Sequence, residues 1–192
     1  MKKAIVSILL MTALSMVAAQ TGIQLESVRS DGMGGASVAL ADDAYGSATN
    51  PAGLFSADRM QFSTSYSKYF TGLNVGSLSE GNFFFAPLPG KKNAFALAGS
   101  YFMHDIFGQM KLTLSYSRKL AKIGNCGFWS LGVSGDAYRV GYNLNNALYD
   151  EDHGDIIDDP LFNSGTSKFA FGASVNSFVK MGHLNIGVKV AD

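Results

Sequence analysis

The sequence predicts an all-β protein: an antiparallel transmembrane β-barrel of the outer-membrane type with an N-terminal hatch. Three observations predict it, namely an export signal, a run of small residues from 32 to 54, and seven later segments that alternate apolar and small polar residues. Beyond residue 20, polar residues and glycine interrupt every apolar run, so no spanning helix is expected. A closed barrel is the other structure that satisfies backbone polar groups within lipid.

The first 19 residues are typical of a cleaved signal peptide. Met1-Lys2-Lys3 is a positive n-region, an apolar stretch follows to residue 16, and Val17-Ala18-Ala19 fits the small-residue cleavage rule. The apolar stretch is shorter than the roughly 20 residues of a spanning helix, which makes a membrane anchor the weaker alternative. We therefore expect export to the cell outer membrane, with a mature chain that begins at Gln20.

Composition argues for a membrane-facing β-protein and against other classes. Charged residues make up 16% of the chain, against about 25% in an average soluble domain. Removal of the two signal lysines would leave 13 basic and 15 acidic side chains, a formal charge of −2, so there is no reason to expect nucleic-acid binding. Cys126 is the single cysteine, which excludes an intramolecular disulfide.

Residues 20–57 are predicted to form the hatch, because they combine small residues with one rigid kink. The stretch from Gly32 to Leu54 reads GMGGASVALADDAYGSATNPAGL, and its glycines are expected to pack closely against other backbone. Pro51 fixes its own φ and favours extended geometry at Asn50, whose amide can bond nearby backbone. An ordinary turn is the alternative for this kink. The candidate hatch motif comprises Gly34, Gly35, Asp42, Asp43, Asn50, Pro51 and Ala52.

Residues 58–192 are predicted to supply about seven barrel strands, at 60–70, 73–88, 93–103, 110–120, 128–142, 167–178 and 183–190. In the fourth, Met110, Leu112 and Leu114 alternate with Lys111, Thr113 and Ser115, which indicates a lipid side and a lumen side. Several segments reach the roughly 10 residues that a tilted strand needs to cross a membrane. Aromatic residues near strand ends are expected to form interfacial girdles: Tyr69, Phe70, Tyr101, Phe102, Phe128, Trp129, Tyr138 and Tyr142. A secreted β-sandwich also alternates, but its strands are usually shorter.

The connections predict an incomplete barrel. Short ones at 87–92, 121–127 and 180–182 alternate with longer ones, as periplasmic turns alternate with outer loops. Seven strands is an odd number, whereas single-chain bacterial barrels are even, and the last residues lack a terminal aromatic. We therefore expect a partial barrel that belongs to a longer parent or is completed by another chain.

Other constellations give no catalytic or metal-binding prediction. The acidic residues Asp150, Glu151, Asp152, Asp155, Asp158 and Asp159 depart from the calcium-loop spacing, so a solvated outer loop is expected, with a cation bridge to lipopolysaccharide as the alternative. The glycine cluster at 32–35 lacks the Gly-Lys-Ser/Thr of a phosphate loop. Three scattered histidines without a nucleophile motif predict neither an enzyme nor a cofactor.

The stretch from Gly32 to Leu54 resembles the N-terminal signature of the PorV/PorQ outer-membrane proteins of the type IX secretion system, which are in turn similar to FadL-type transporters. The shared elements are the Gly-Gly-Ala core at 34–36, the Asp42-Asp43 pair and Asn50-Pro51-Ala52. Residues 159–162 and 169–173 resemble the related PorP/SprF proteins. The resemblance implies a fourteen-stranded barrel with the N-terminal segment in its lumen, and this chain has material for about half of it.

The resemblance also implies two functions. The secretion branch implies an accessory component that delivers or shuttles exported proteins, with outer-membrane lipid, cargo proteins and secretion components as partners. The FadL branch implies passive transport of hydrophobic compounds, with an apolar pocket where the hatch meets the barrel wall. The third hypothesis is a secreted β-sandwich with a binding or structural role.

Overall fold

Seven antiparallel strands form one sheet whose spatial order follows the sequence. A computed structural model describes residues 28–34, 36–69, 71, 78–104, 107–124, 126–142 and 167–191. The predicted signal peptide, the acidic cluster at 150–159, Gly35 and Phe70 lie outside these ranges. The strands are β1 (Gln61–Tyr69), β2 (Leu78–Ala86), β3 (Asn93–Met103), β4 (Phe107–Ile123), β5 (Gly127–Tyr142), β6 (Ser167–Met181) and β7 (Leu184–Ala191).

The sheet curls into half of a barrel, and its described strands form one sheet rather than the two packed layers of a sandwich. Each of the seven predicted strands is present, and β3 has the predicted limits. β4 is longer than predicted, at 17 residues. The connections 87–92, 124–126 and 182–183 lie at one end, here called the turn end. Gly124 and Gly182 adopt positive φ there, at 60° and 61°. The opposite end, where the 143–166 connection leaves, is the loop end.

The two faces of the sheet have opposite polarity, as the alternation predicts. The convex outer face exposes large apolar side chains, among them Phe62 at 68% and Phe171 at 82% exposure. The concave inner face carries small polar residues, and Ser117 and Ser130 on it are fully buried. A soluble sheet buries its apolar face, so this polarity is reversed.

The residues predicted to form the aromatic girdle differ in their exposure. Tyr69, Tyr101 and Trp129 are exposed. Phe128 is instead buried against Phe178, with ring centroids 5.8 Å apart, and the Tyr138 hydroxyl donates to an aspartate on the inner face. The physical reason is the two-residue period of β5, which puts even-numbered side chains on the inner side together with Ser130.

The described residues that precede β1 lie against the inner face and form the core with it. This inner segment, residues 28–57, contains helix α1 (Val28–Gly32), helix α2 (Gly46–Thr49) and a 3-10 helix η1 (Pro51–Ser56). Its alanines and Leu54 pack on small and aromatic residues of the wall in three buried clusters: Ala44, Ala48, Phe84 and Ala98; Leu54, Ala86, Ala94 and Ala96; and Ala52, Phe128 and Phe178. No helix within the described ranges is long and apolar enough to cross a membrane.

Candidate functional site

The inner segment contacts all seven strands of the sheet. At the β1 side, the Ser63 hydroxyl donates to the Tyr45 hydroxyl at 3.0 Å, and the Tyr45 ring packs edge-on to Phe84 of β2 at 4.6 Å. Ala48 packs on Ala98 of β3. The other four strands are hydrogen-bonded to the segment. Side chains of three strands donate to carbonyls of the segment: Ser115 of β4 to Ser47, Ser130 of β5 to Ala52, and Lys189 of β7 to Ala48. In the opposite direction, the Asn50 side chain donates to the Ser177 carbonyl of β6. The segment therefore ties the sheet together across its whole width.

Asn50 is the central polar residue of this contact. It has extended geometry before the proline, at φ −155° and ψ 90°, as predicted. Its side chain is fully buried and makes three hydrogen bonds. Nδ2 donates to Val38 O at 2.9 Å and to Ser177 O at 3.2 Å, while Oδ1 accepts from the Ala52 amide at 3.2 Å. One side chain thus fixes the kink and anchors it to the wall.

Pro51 and Ala52 form the first turn of η1 directly against β5. Pro51 occupies the first helical position, where its missing N–H costs no hydrogen bond. Gly132 of β5 makes the approach possible, because a Cβ there would lie 3.0 Å from the Ala52 nitrogen and 3.3 Å from Pro51 Cγ. Ala52 is fully buried, so the kink is packed on its wall side as well as hydrogen-bonded.

The Asp42-Asp43 pair binds an arginine that the sequence analysis missed. Arg29 Nη1 lies 2.7 Å from Asp42 and 2.8 Å from Asp43. A signal was available, since Arg29 is the only basic residue between positions 20 and 58. Asp43 also accepts the Tyr45 amide at 3.1 Å before α2 begins. These side chains are partly exposed, so the pairing contributes about 1 kcal/mol or less.

Hydrogen bonds first to Asp43 and then to Asp42 raise the pKa of Arg29 above its already high ordinary value. A raised pKa of a base gives stability that is present below the unfolded-state pKa and lost as the pH rises through the folded-state pKa. Both values lie above the physiological range. Titration of Arg29 therefore leaves the stability of the inner segment unchanged near neutral pH.

Only some of the glycines between Gly32 and Leu54 pack closely, as predicted for this stretch. Gly34 has a positive φ of 62°, and no atom lies within 4 Å of the position that a Cβ would take at Gly32 or at Gly34. Gly34 therefore serves the left-handed backbone, and neither glycine is required by close packing. Close approach occurs instead at Gly46 and Gly53, where a Cβ would lie 3.1 Å and 2.4 Å from the Ala41 Cβ. The expectation of close packing thus holds for the segment but not for Gly32 and Gly34.

A polar cluster lies on the inner face between the inner segment and the loop end. Lys111 Nζ is 3.5 Å from Asp136, and their side chains are only 13% and 11% exposed. Asp136 also accepts hydrogen bonds from Thr113 and Tyr138, and Lys111 lies 4.9 Å from the Tyr138 ring centroid. The sequence placed Lys111 and Asp136 on the polar side of their strands but gave no sign that they pair.

An apolar groove, here called the outer groove, lies on the opposite face of the sheet. Its volume is about 470 Å³. It runs over β2 to β5 and is lined by Phe85, Pro87, Phe95, Leu97, Leu114, Tyr116, Val133 and Gly135, among others. Within the described ranges, no three His, Cys, Asp or Glu side chains come together as a metal site, and Cys126 is exposed in the turn between β4 and β5.

No family model, no curated protein and no solved structure matches this chain. The resemblance to PorV/PorQ therefore rests on residues 32–54 alone. Three features of the structure bear on function: the reversed polarity of the sheet, the inner segment on its concave face, and the polar cluster beside it.

Proposed function

We propose that this chain is an outer-membrane β-barrel protein of the PorV/PorQ type, an accessory component of type IX protein secretion that is exported by a cleaved signal peptide. The observation that carries the proposal is the reversed polarity of the sheet. Large apolar side chains on several strands, including Phe62, Phe95 and Phe171, are more than 60% exposed on the outer face. Soluble monomers rarely expose continuous apolar patches above a few hundred Å², whereas lipid covers such a face.

The inner segment is the hatch in this proposal. Its bonds to strands from β1 to β7 hold it on the concave face, which would be the lumen of the closed barrel. The Asn50-Pro51-Ala52 element lies at the centre of these bonds. Of the residues that carry the family resemblance, Asn50, Pro51 and Ala52 attach the hatch to the wall, whereas Asp42 and Asp43 bind Arg29 within the hatch.

Transport of hydrophobic compounds in the FadL manner is the second candidate. It requires an apolar path where the hatch meets the wall. The described wall beside the hatch carries the buried Lys111–Asp136 pair together with Thr113 and Tyr138, and the outer groove lies on the other face. A polar lumen favours the secretion role. A secreted β-sandwich would need a second sheet over the apolar face, and the described strands form one sheet.

We infer that further strands complete the barrel. In the described part of the chain, β1 and β7 each pair with one neighbour, β2 and β6 respectively. Unpaired strand edges within lipid leave backbone groups without hydrogen bonds, at a cost of several kcal/mol for each group. The missing strands would come from the rest of a longer parent or from another chain.

Migration on detergent gels, with and without heating, tests the membrane part of the proposal. Outer-membrane fractions should contain the protein, and a closed barrel should migrate differently before and after heating. Residues 1–192 expressed alone should show no such shift, since the sheet is half of a barrel. Recovery of the chain as a soluble exported protein without detergent would contradict the membrane placement and support the sandwich.

Deletion of the gene from a host with a type IX system separates the two membrane functions. We expect exported cargo proteins to be lost from the cell surface and culture medium, while uptake of a labelled fatty acid is unchanged. The opposite pattern would support the FadL-like alternative. Complementation with a Pro51→Ala variant should restore function only in part, because the kink that seats the hatch is loosened.

A further inference from the structure

We propose that the outer groove binds an anionic phospholipid of the membrane leaflet at the turn end of the sheet, with an acyl chain in the groove and the phosphate on Arg118, Lys91 and Lys92. The inference rests on the proposed membrane placement. It goes further by assigning a specific lipid site to one part of the outer face.

The groove has the shape and chemistry of an acyl-chain site. Its walls are cross-strand pairs of large side chains, with Phe95 opposite Tyr116 and Leu97 opposite Leu114. Gly135 faces outward opposite Leu114 and leaves a gap, because no atom lies within 4 Å of the position a Cβ would take. The volume of about 470 Å³ lies within the usual range of small-ligand pockets.

Three cations border the groove on the turn side. Arg118 follows Tyr116 by two residues on the same face of β4, toward the turn end. It pairs with Asn93 of β3 and with Leu131 of β5, and its side chain is exposed. Lys91 and Lys92 are exposed in the connection that leads into β3, where the Lys92 carbonyl accepts the Lys119 amide at 2.8 Å. The ion pairs among the described residues involve Arg29 and Lys111 and leave these three cations unpaired.

A phosphate group is a suitable ligand for these three cations. A guanidinium binds two phosphate oxygens at once, and neighbouring ammonium groups add charge without a fixed direction. Each cation near an anionic membrane surface strengthens attraction by about fivefold. Lys91, Lys92 and Arg118 are all exposed, so they are available to a phosphate beside the groove.

The face of the sheet favours a lipid over a peptide as the occupant. Strands β2 to β5 have their backbone groups paired with their neighbours, so the groove offers apolar side chains and little backbone hydrogen bonding. A peptide laid across it would leave its own amides and carbonyls unpaired, which is unfavourable when they are buried. An acyl chain has no polar groups to satisfy.

The single tryptophan provides the test. Trp129 lies on the outer face of β5 near the turn end, and it is the only tryptophan in the chain. The chain would be studied in mixed micelles of detergent and phosphatidylcholine, which do not require a closed barrel, with brominated phosphatidylglycerol or, in parallel, brominated phosphatidylcholine added. Quenching of Trp129 fluorescence by the two lipids then gives their relative affinity. We expect phosphatidylglycerol to be preferred by at least about fivefold, and the preference to be lost in the Lys91→Gln/Lys92→Gln/Arg118→Gln variant.

Lys68→Gln is the matched control, because Lys68 is exposed at the loop end of β1 and its loss should leave the preference unchanged. Gly135→Leu should fill the groove and reduce the amount of phosphatidylglycerol that remains bound in native mass spectra. Equal quenching by both lipids in the unmodified chain would overturn the lipid site alone. Absence of quenching by either lipid would overturn the membrane placement and the lipid site with it.

Discussion

Asn50 is the residue on which the attachment of the inner segment depends most. Its buried side-chain amide donates hydrogen bonds to two backbone carbonyls and accepts one from a backbone N–H. Asn50→Ala would remove these three hydrogen bonds, and each buried polar group left without a partner costs about 1–3 kcal/mol. Asn50→Asp keeps the shape but turns a carboxylate oxygen toward the carbonyls of Val38 and Ser177, so we expect it to be more damaging.

Hydrogen exchange in detergent micelles measures this effect. In either Asn50 variant, the amides of η1 should lose protection by at least about tenfold, as a change of 1.4 kcal/mol or more requires. Thr49→Ala is the control, because the Thr49 hydroxyl bonds only the nearby Tyr45 carbonyl among its described contacts. Equal loss of protection in the Thr49 variant would contradict the special role of Asn50.

Three glycines of the inner segment should respond differently to alanine. Gly53→Ala places a Cβ 2.4 Å from the Ala41 Cβ and 3.1 Å from Phe178, and overpacking of this kind costs about 1–3 kcal/mol. Gly34→Ala has room but requires a left-handed backbone, at about 1–2 kcal/mol. Gly32→Ala has room inside α1 and should be neutral or slightly stabilising.

Urea denaturation followed by the fluorescence of Trp129 ranks these variants. The order of stability should be Gly32→Ala highest and Gly53→Ala lowest. A Gly32→Ala variant that is as unstable as Gly53→Ala would mean that close packing extends to the glycine cluster, as the sequence alone had predicted.

At the scale of the strands, the identity of the lipid-facing side can be tested by one pair of lysine substitutions. Leu112→Lys puts a charge on the outer face near the middle of β4, and we expect a loss of about 2–4 kcal/mol in membrane-inserted stability. Ser65→Lys puts the same charge on the inner face of β1, where the polar surface should tolerate it. Comparison of the folded fractions in vesicles decides the orientation, and the reverse order would mean that the faces are exchanged.

The strands were predictable from the sequence because their signal is local. Met110, Leu112 and Leu114 alternate with polar neighbours over a few residues, and the same period fixes the face of each side chain. The prediction of Phe128 in the interfacial girdle was wrong because it rested on aromatic character alone. The alternation of β5 puts Phe128 on the inner face, beside Ser130. The bonds of the inner segment were beyond reach, since Ser115 and Ser47 are 68 residues apart and only the curvature of the sheet brings them together.

At the scale of the whole molecule, strand direction restricts how the barrel can close. β1 and β7 run the same way, toward the loop end, because the sheet has seven antiparallel strands. If two copies of the chain closed into one barrel about a two-fold axis along the barrel, β7 of each copy would lie beside β1 of the other. Both of these new strand pairs would be parallel. An odd number of additional strands gives antiparallel pairing at both edges, and we expect this arrangement.

Disulfide trapping in a Cys126→Ser background distinguishes the two closures. Thr64→Cys with Val188→Cys would form linked dimers if two copies closed on each other, and we expect none. Val175→Cys with Val190→Cys is the positive control, because these positions face each other across β6 and β7 and should oxidise within one chain. Dimers from the first pair would establish two-copy closure.

The span of the inner segment also sets an order of events during biogenesis. The Lys189 ammonium meets the Ala48 carbonyl across 141 residues of sequence, and contacts of such separation form late because a long loop must close first. The contact of the inner segment with β7 is thus expected to form after its contact with β1, where Tyr45 and Ser63 are 18 residues apart. Attachment of the segment is therefore expected to proceed from β1 toward β7, and all of the contacts described here are in place only once β7 has joined the sheet.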